Sequence, residues 1–128
     1  MRVADFAEQP CNIARPIALL GDGWTLLLLR QAFLGTRRFD DFQSQLGLSR
    51  SLLADRLRKL VEAGILRREP YRDAVRTREQ YRLTEKGIDL YPVLMALRTW
   101  ADKHSSPDGP LVLYRHRDCG GLAEMAHR

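Results

Sequence analysis

Arginine dominates the residues of this chain that could do chemistry. Between Arg37 and Arg82 stand twelve Lys and Arg against seven Asp and Glu, while the rest of the chain holds nine of each, so the whole net charge of +5 falls inside that window. A guanidinium offers a fixed fork of donors that matches phosphate and the acceptor edge of guanine, but it is neither base nor nucleophile near neutral pH. Such residues suit recognition of a polyanion. Arginine-rich faces are also ordinary solvated surface, so charge alone leaves that plainer reading open. Bond-making chemistry finds no comparable foothold. There are no paired carboxylates in a pocket-forming motif and no Ser or Cys nucleophile with an identifiable base, and "GDG" at 21–23 lacks the rest of a phosphate-binding loop. The expectation is a protein that is not an enzyme and uses no cofactor.

Sulfur and imidazole add little. Cys11 and Cys119 lie more than a hundred positions apart with no leading basic-plus-apolar segment, which argues against a disulfide framework. His116 precedes Cys119 by three residues and His127 follows, at most part of a zinc site, and a closed site needs four ligands. No metal is expected. The longest apolar run, "LLLL" within "WTLLLLRQAFL", is far too short to span a bilayer. A cytoplasmic protein with no membrane contact is the expectation.

The arginines need elements to hold them, and 128 residues suffice for one domain with its own core. "NIARPIALL" (12–20) places Ile13, Ile17 and Leu20 at helical spacing, with Pro16 near the start where its missing N–H is harmless. "WTLLLLRQAFLG" (24–35) is apolar on nearly every side, as for a central helix enclosed by the domain. In "TRRFDDFQSQLGLS", Phe39, Phe42 and Leu46 mark a short helix broken by Gly47, and Ser49 can cap the next. That helix, Ser49 to Ala63, gathers Leu52, Leu53, Leu57, Leu60 and Val61 on one face and Arg50, Ser51, Ala54, Asp55 and Arg58 on the other.

Two helices joined by a tight glycine turn are the arrangement of a helix-turn-helix, although many helical hairpins bind nothing. "ILRREPYRDAVRTREQYRLT" then reads as a β-hairpin, with strands at 65–71 and about 80–84 and a tip, "RDAVRTRE", crowded by Arg72, Arg76 and Arg78. A helix-turn-helix followed by a basic hairpin is a winged helix: the second helix enters the major groove and the wing reaches phosphate or the minor groove. The expected fold is mainly α with a small β-hairpin wing. After it, "TEKGIDLYPVLMALRTWADKH" predicts a long helix capped by Thr84 and bent or divided at Pro92. Its apolar positions, Leu90, Leu94, Leu97 and Ala101 with Ile88, Tyr91 and Met95, are wider than one small domain needs, which suits packing against a second copy as well as a core role. "SSPDGP" (105–110) reads as a linker. The division expected is a domain at 1–103 and a tail at 104–128.

The stretches "GDGWTLLLLR", "RRFDDF", "LADRLRKLVEAGIL" and "YRLTEKG", with Cys11 ahead of them, resemble the HxlR family of bacterial transcription regulators, a winged-helix group related to the MarR regulators. The resemblance runs from Cys11 to about Trp100. It implies a homodimer on double-stranded DNA with a pseudo-palindromic operator, joined through N- and C-terminal helices with Ile13, Ile17, Leu90, Leu94, Leu97 and Ala101 at the interface. It implies base contacts from Ser49, Arg50, Ser51, Ala54, Asp55 and Arg58, and backbone or wing contacts from Arg37, Arg38, Arg72, Arg76 and Arg78. One departure is visible: where the family usually carries a proline five residues before the strand tyrosine, this chain has Arg76, which predicts a less rigid, more cationic wing tip. Some members sense oxidants or electrophiles through the cysteine that Cys11 matches. A thiol at a helix start can be reactive, whereas a lone cysteine is commonly a small core hydrophobe. An apolar effector could enter near Trp24, Phe33 and Trp100, side chains that also read as core. The rival function is a winged-helix protein-interaction module without specific DNA readout, which salt dependence of duplex binding would separate.

Overall fold

The computed structural model describes Asp5, Ala7, Glu8 and residues 10–104. Four helices come first: α1 (Ala14–Leu20), α2 (Gly23–Phe33), α3 (Phe39–Leu46) and α4 (Arg50–Glu62). The antiparallel hairpin of β1 (Leu66–Arg72) and β2 (Thr77–Leu83) follows, and then α5 (Glu85–Ile88) and α6 (Tyr91–His104). "SSPDGP" and the tail with His116, Cys119 and His127 lie outside the described residues.

Apolar spacing accounts for the core. Leu28, Leu29 and Ala32 of α2, Phe42 of α3, Leu53, Leu57 and Leu60 of α4, and Ile65 and Leu66 at the root of the hairpin are buried together. Leu52 and Val61 pack at its edge, as the periodicity of α4 predicts. The central helix is not enclosed on every side, however. Asp22 caps α2 by accepting the Trp24 N–H at 2.8 Å, and Trp24 itself stays partly open to solvent, because the domain's own elements cover α2 on the Thr25–Leu28–Leu29–Ala32 side.

The turn between α3 and α4 is built in detail by its residues. Gly47 takes φ +69°, the left-handed region that a side chain would resist, and closes α3. Leu48 then inserts into the core, its carbonyl held by the Gln43 side chain at 3.2 Å. Ser49 accepts the Leu52 N–H at 3.2 Å and caps α4, an interaction that typically contributes about 1 kcal/mol.

The wing is shorter at its tip than the sequence predicts. The ladder runs from Leu66↔Leu83 to Arg72↔Thr77, so β2 begins at Thr77 instead of Gln80 and the connection is residues 73–76. Asp73 is the cause: its carboxylate accepts the N–H groups of Val75 and Arg76 at 2.8 Å each, closing a tight turn that keeps the strands in register. Arg72 and Arg78 are therefore strand residues and only Arg76 sits in the turn. Asp73 also restrains a tip that lacks proline. At the other end the wing is tied to the domain, with the Tyr81 N–H donating to the Arg37 carbonyl at 2.7 Å and the Thr84 N–H to the Ile65 carbonyl at 3.1 Å.

The last helical stretch is divided, as Pro92 predicts. Thr84 caps α5 by accepting the Gly87 N–H at 3.1 Å, and α6 starts afresh with Pro92 as its second residue, where no helical N–H is lost. Met95 is buried, and Leu90 and Leu94 pack against the protomer's own core. Those two leucines, expected at a subunit interface, are partly buried against the chain's own core. Ile88, Val93, Leu97 and Trp100 remain exposed, so the expectation of Trp100 as a core residue is corrected by its 62% exposure. The Phe33 and Tyr91 rings meet in a tilted contact with centroids 5.3 Å apart.

Candidate nucleic-acid interface

The polar side of α4 carries the residues that can meet a base edge. Arg50 stands in the first turn with 70% of its side chain exposed, its guanidinium 4.7 Å over the Phe39 ring and 3.5 Å from Asp40. Both neighbours come from the first turn of α3. Exposed ion pairs of this kind contribute little stability, so their effect is to bias the rotamer. Ser49 and Ser51 hydroxyls lie 3.5 Å apart beside Arg50, and Ala54 is exposed one turn on.

Farther along, Asp55 is a hub. It receives Arg58 at 2.7 Å, Arg56 at 2.6 Å and Lys59 at 3.4 Å. The Arg58 hydrogen bond, with help from Arg56 and Lys59, holds the Asp55 carboxyl below the usual carboxylate range. Arg58 is shared with Glu62 at 3.1 Å, and these two partners raise its own pKa further. Arg58 is thus held by two carboxylates, whereas Arg50 has one loose pair.

The wing sorts its cations in the same way. Arg78 pairs with Asp73, a carboxyl held below its usual range first by the Arg76 and Val75 N–H groups and then by Arg78. Arg67 at 2.8 Å and Arg82 at 3.5 Å share Glu69. Arg38 lies 4.5 Å over the Tyr71 ring. Among the described residues, no carboxylate pairs with Arg72 or Arg76, which are the wing's most available charges. The stacking of Arg38 on Tyr71 and the turn made by Asp73 are the features sequence reasoning missed; alternation in the strand hinted at the first, and an Asp two residues before Val75 at the second.

Arg38, Arg50, Arg76 and Arg78 line one open groove of about 810 Å³ together with Tyr71 and the carboxylates Asp40, Asp41, Asp73 and Glu79, between the starts of α3 and α4 and the wing. Ser51, Ala54 and Arg58 do not line it; they continue along the exposed side of α4. Among the described residues no group of three or more His, Cys, Asp or Glu is placed to hold a metal ion. A capped helix that follows a tight turn and is flanked by an arginine-bearing hairpin is the geometry of a winged helix on duplex DNA. Residues 19–108 match the HxlR-like helix-turn-helix family. The chain belongs to the HxlR family. An HTH-type transcriptional regulator of Mycobacterium tuberculosis is 43% identical over 127 residues, covering 97% of this chain and 80% of that one. PA1607, a protein assigned as a transcription factor, superposes with a TM-score of 0.79 at 40% identity over 93% of this chain and 83% of its own. The reduced transcriptional regulator YodB of Bacillus subtilis does so with 0.65 at 29% over 76% and 96%, and a quinone-bound YodB with 0.59 at 30% over 71% and 96%. This HxlR-family protein is a sequence-specific DNA-binding transcription regulator with a winged helix-turn-helix. No described helix is long and apolar enough to cross a membrane.

Cys11 lies just ahead of α1 and is exposed, so it is not the small core residue that a lone cysteine commonly is. Its Sγ accepts the Ala14 N–H at 3.4 Å. That contact, and then the Ile13 N–H, lower the thiol's pKa and enlarge the thiolate fraction near neutral pH.

Proposed function

We propose that this HxlR-family regulator works as a homodimer that presents two copies of α4 to successive major grooves of a pseudo-palindromic operator, with half-sites about 34 Å apart. Arg50 reads guanine, with Ser49, Ser51, Ala54, Asp55 and Arg58 along the same helix side. Arg37, Arg38, Arg72, Arg76 and Arg78 meet the backbone. The reading is carried by one observation: α3, α4 and the wing open onto one groove where Arg38, Arg50, Arg76 and Arg78 come together, although Asp40, Asp41, Asp73 and Glu79 share its lining. Pairing is supported by the large apolar side chains left in the open on the end helices, Ile13 and Ile17 of the N-terminal segment and Val93, Leu97 and Trp100 of α6. Leu97→Glu should lower the mass seen by sedimentation from two chains to one and weaken operator binding by at least about tenfold, since each half-site is then bound alone. A variant that stays paired would move the interface elsewhere.

Cys11 is the regulatory residue in this reading. Its thiol is exposed, with a lowered pKa that favours attack on an electrophile, and the solved quinone complex of YodB supplies the class of effector. Site selection from random duplex, with and without a benzoquinone, tests both halves. Wild type should lose its selected operator on treatment, while Cys11→Ser should select the same operator and keep it. Equal loss from both proteins would remove Cys11 from the mechanism.

A further inference from the structure

Arg56 faces away from the groove, yet three features single it out. Its guanidinium reaches Asp22 at 2.6 Å and Asp55 at 2.6 Å, and its side chain is only 20% exposed. Its Nε is buried with no hydrogen-bond partner, so the two carboxylates are what hold the charge in place. Asp22 is committed at the same time to the start of α2, where its other oxygen accepts the Trp24 N–H. Asp55, in turn, passes its second oxygen to Arg58 at 2.7 Å. A continuous polar path therefore runs from the cap of the central helix, through Arg56 and Asp55, to a cation on the exposed side of the recognition helix.

We propose that Arg56 is a positioning residue for DNA readout: clamped by Asp22, it fixes how α4 sits against α2 and holds Asp55 where it can aim Arg58. Operator specificity then depends on a side chain that does not touch DNA. Without Asp22, Arg56 is left with a half-buried charge and a single partner. It draws Asp55 toward itself and away from Arg58, and the start of α2 loses its hold on α4. The proposal rests on α4 being the recognition helix.

The test compares Asp22→Asn, Arg56→Gln and the double variant, each titrated with selected operator and with mixed-sequence duplex at one salt concentration. Asparagine preserves the cap of α2. Asp22→Asn also removes a negative charge, so a purely electrostatic effect would tighten both duplexes together. The expected result is a different one: the ratio of operator to mixed-duplex affinity falls by about tenfold in each single variant and no further in the double, the non-additivity of residues sharing one network. Because both affinities scale with the same active concentration, the ratio is unaffected by partial unfolding. An unchanged ratio in both single variants, or losses that multiply in the double, would overturn the proposal. Wild-type protein that fails to distinguish the two duplexes would overturn the recognition-helix reading with it.

Discussion

Arg50→Ala should flatten the preference among operator sequences by about 1 to 3 kcal/mol, the discrimination typical of one bidentate arginine–guanine pair. The expectation follows from placement. Arg50 is in the first turn of α4, largely exposed, and lies against the Phe39 ring and the Asp40 carboxylate at the start of α3. Releasing Asp40 costs little because an exposed pair is already screened. Arg58 stands about two turns farther along α4, where Asp55 and Glu62 fix the direction of its fork. The control is Arg76→Ala. Arg76 stands in the wing turn without a carboxylate partner among the described residues, so its loss should weaken every duplex alike and reduce the salt slope by about one. Competition titrations with single-base operator variants measure both. If Arg50→Ala weakened all sequences equally and left their ranking intact, Arg50 would be a phosphate contact and base reading would lie farther along α4.

The parts of this molecule that follow from local chemistry were legible in the sequence. Phe39, Phe42 and Leu46 at helical spacing, Gly47 after them and Ser49 as a cap specify the helix-turn-helix almost without tertiary information. Pro92 likewise announced the division between α5 and α6. What escaped depends on contacts between residues distant in sequence or on competition within one face. The sequence predicts too long a wing tip because "TRE" at 77–79 is polar and lacks strand character, whereas the side-chain turn of Asp73 extends the ladder down to Thr77. Leu90, Leu94 and Leu97 share one stripe, and nothing in the stripe says that the first two turn to the chain's own core while Leu97 faces out. The clamp on Arg56 had no signal, because Asp22 and Arg56 each look like ordinary surface charges until the fold brings them together.

Gly87→Ala should be the most damaging small substitution, destabilising the protein by about 3 kcal/mol and lowering Tm by on the order of 10 °C. Helix propensity alone predicts the opposite sign, since alanine is favoured over glycine inside a helix by about 1 kcal/mol. Space decides the matter. A Cβ at this buried position would lie 2.2 Å from the Ile65 carbonyl oxygen and 3.0 Å from a Leu83 methyl. The carbonyl cannot retreat cheaply, because it accepts the Thr84 backbone N–H at 3.1 Å, and the Thr84 hydroxyl that caps α5 is itself tied to the adjacent Gly64 carbonyl. Ile65 and Leu83 also bracket the root of the wing, so the strain is transmitted to the hairpin that flanks the groove. Denaturant and thermal unfolding read the stability, and mixed-duplex affinity of the folded fraction reads the wing. A variant as stable as wild type would show that α5 can shift away from Ile65, and that the close approach of this helix to the wing root is not what sets the hairpin's position.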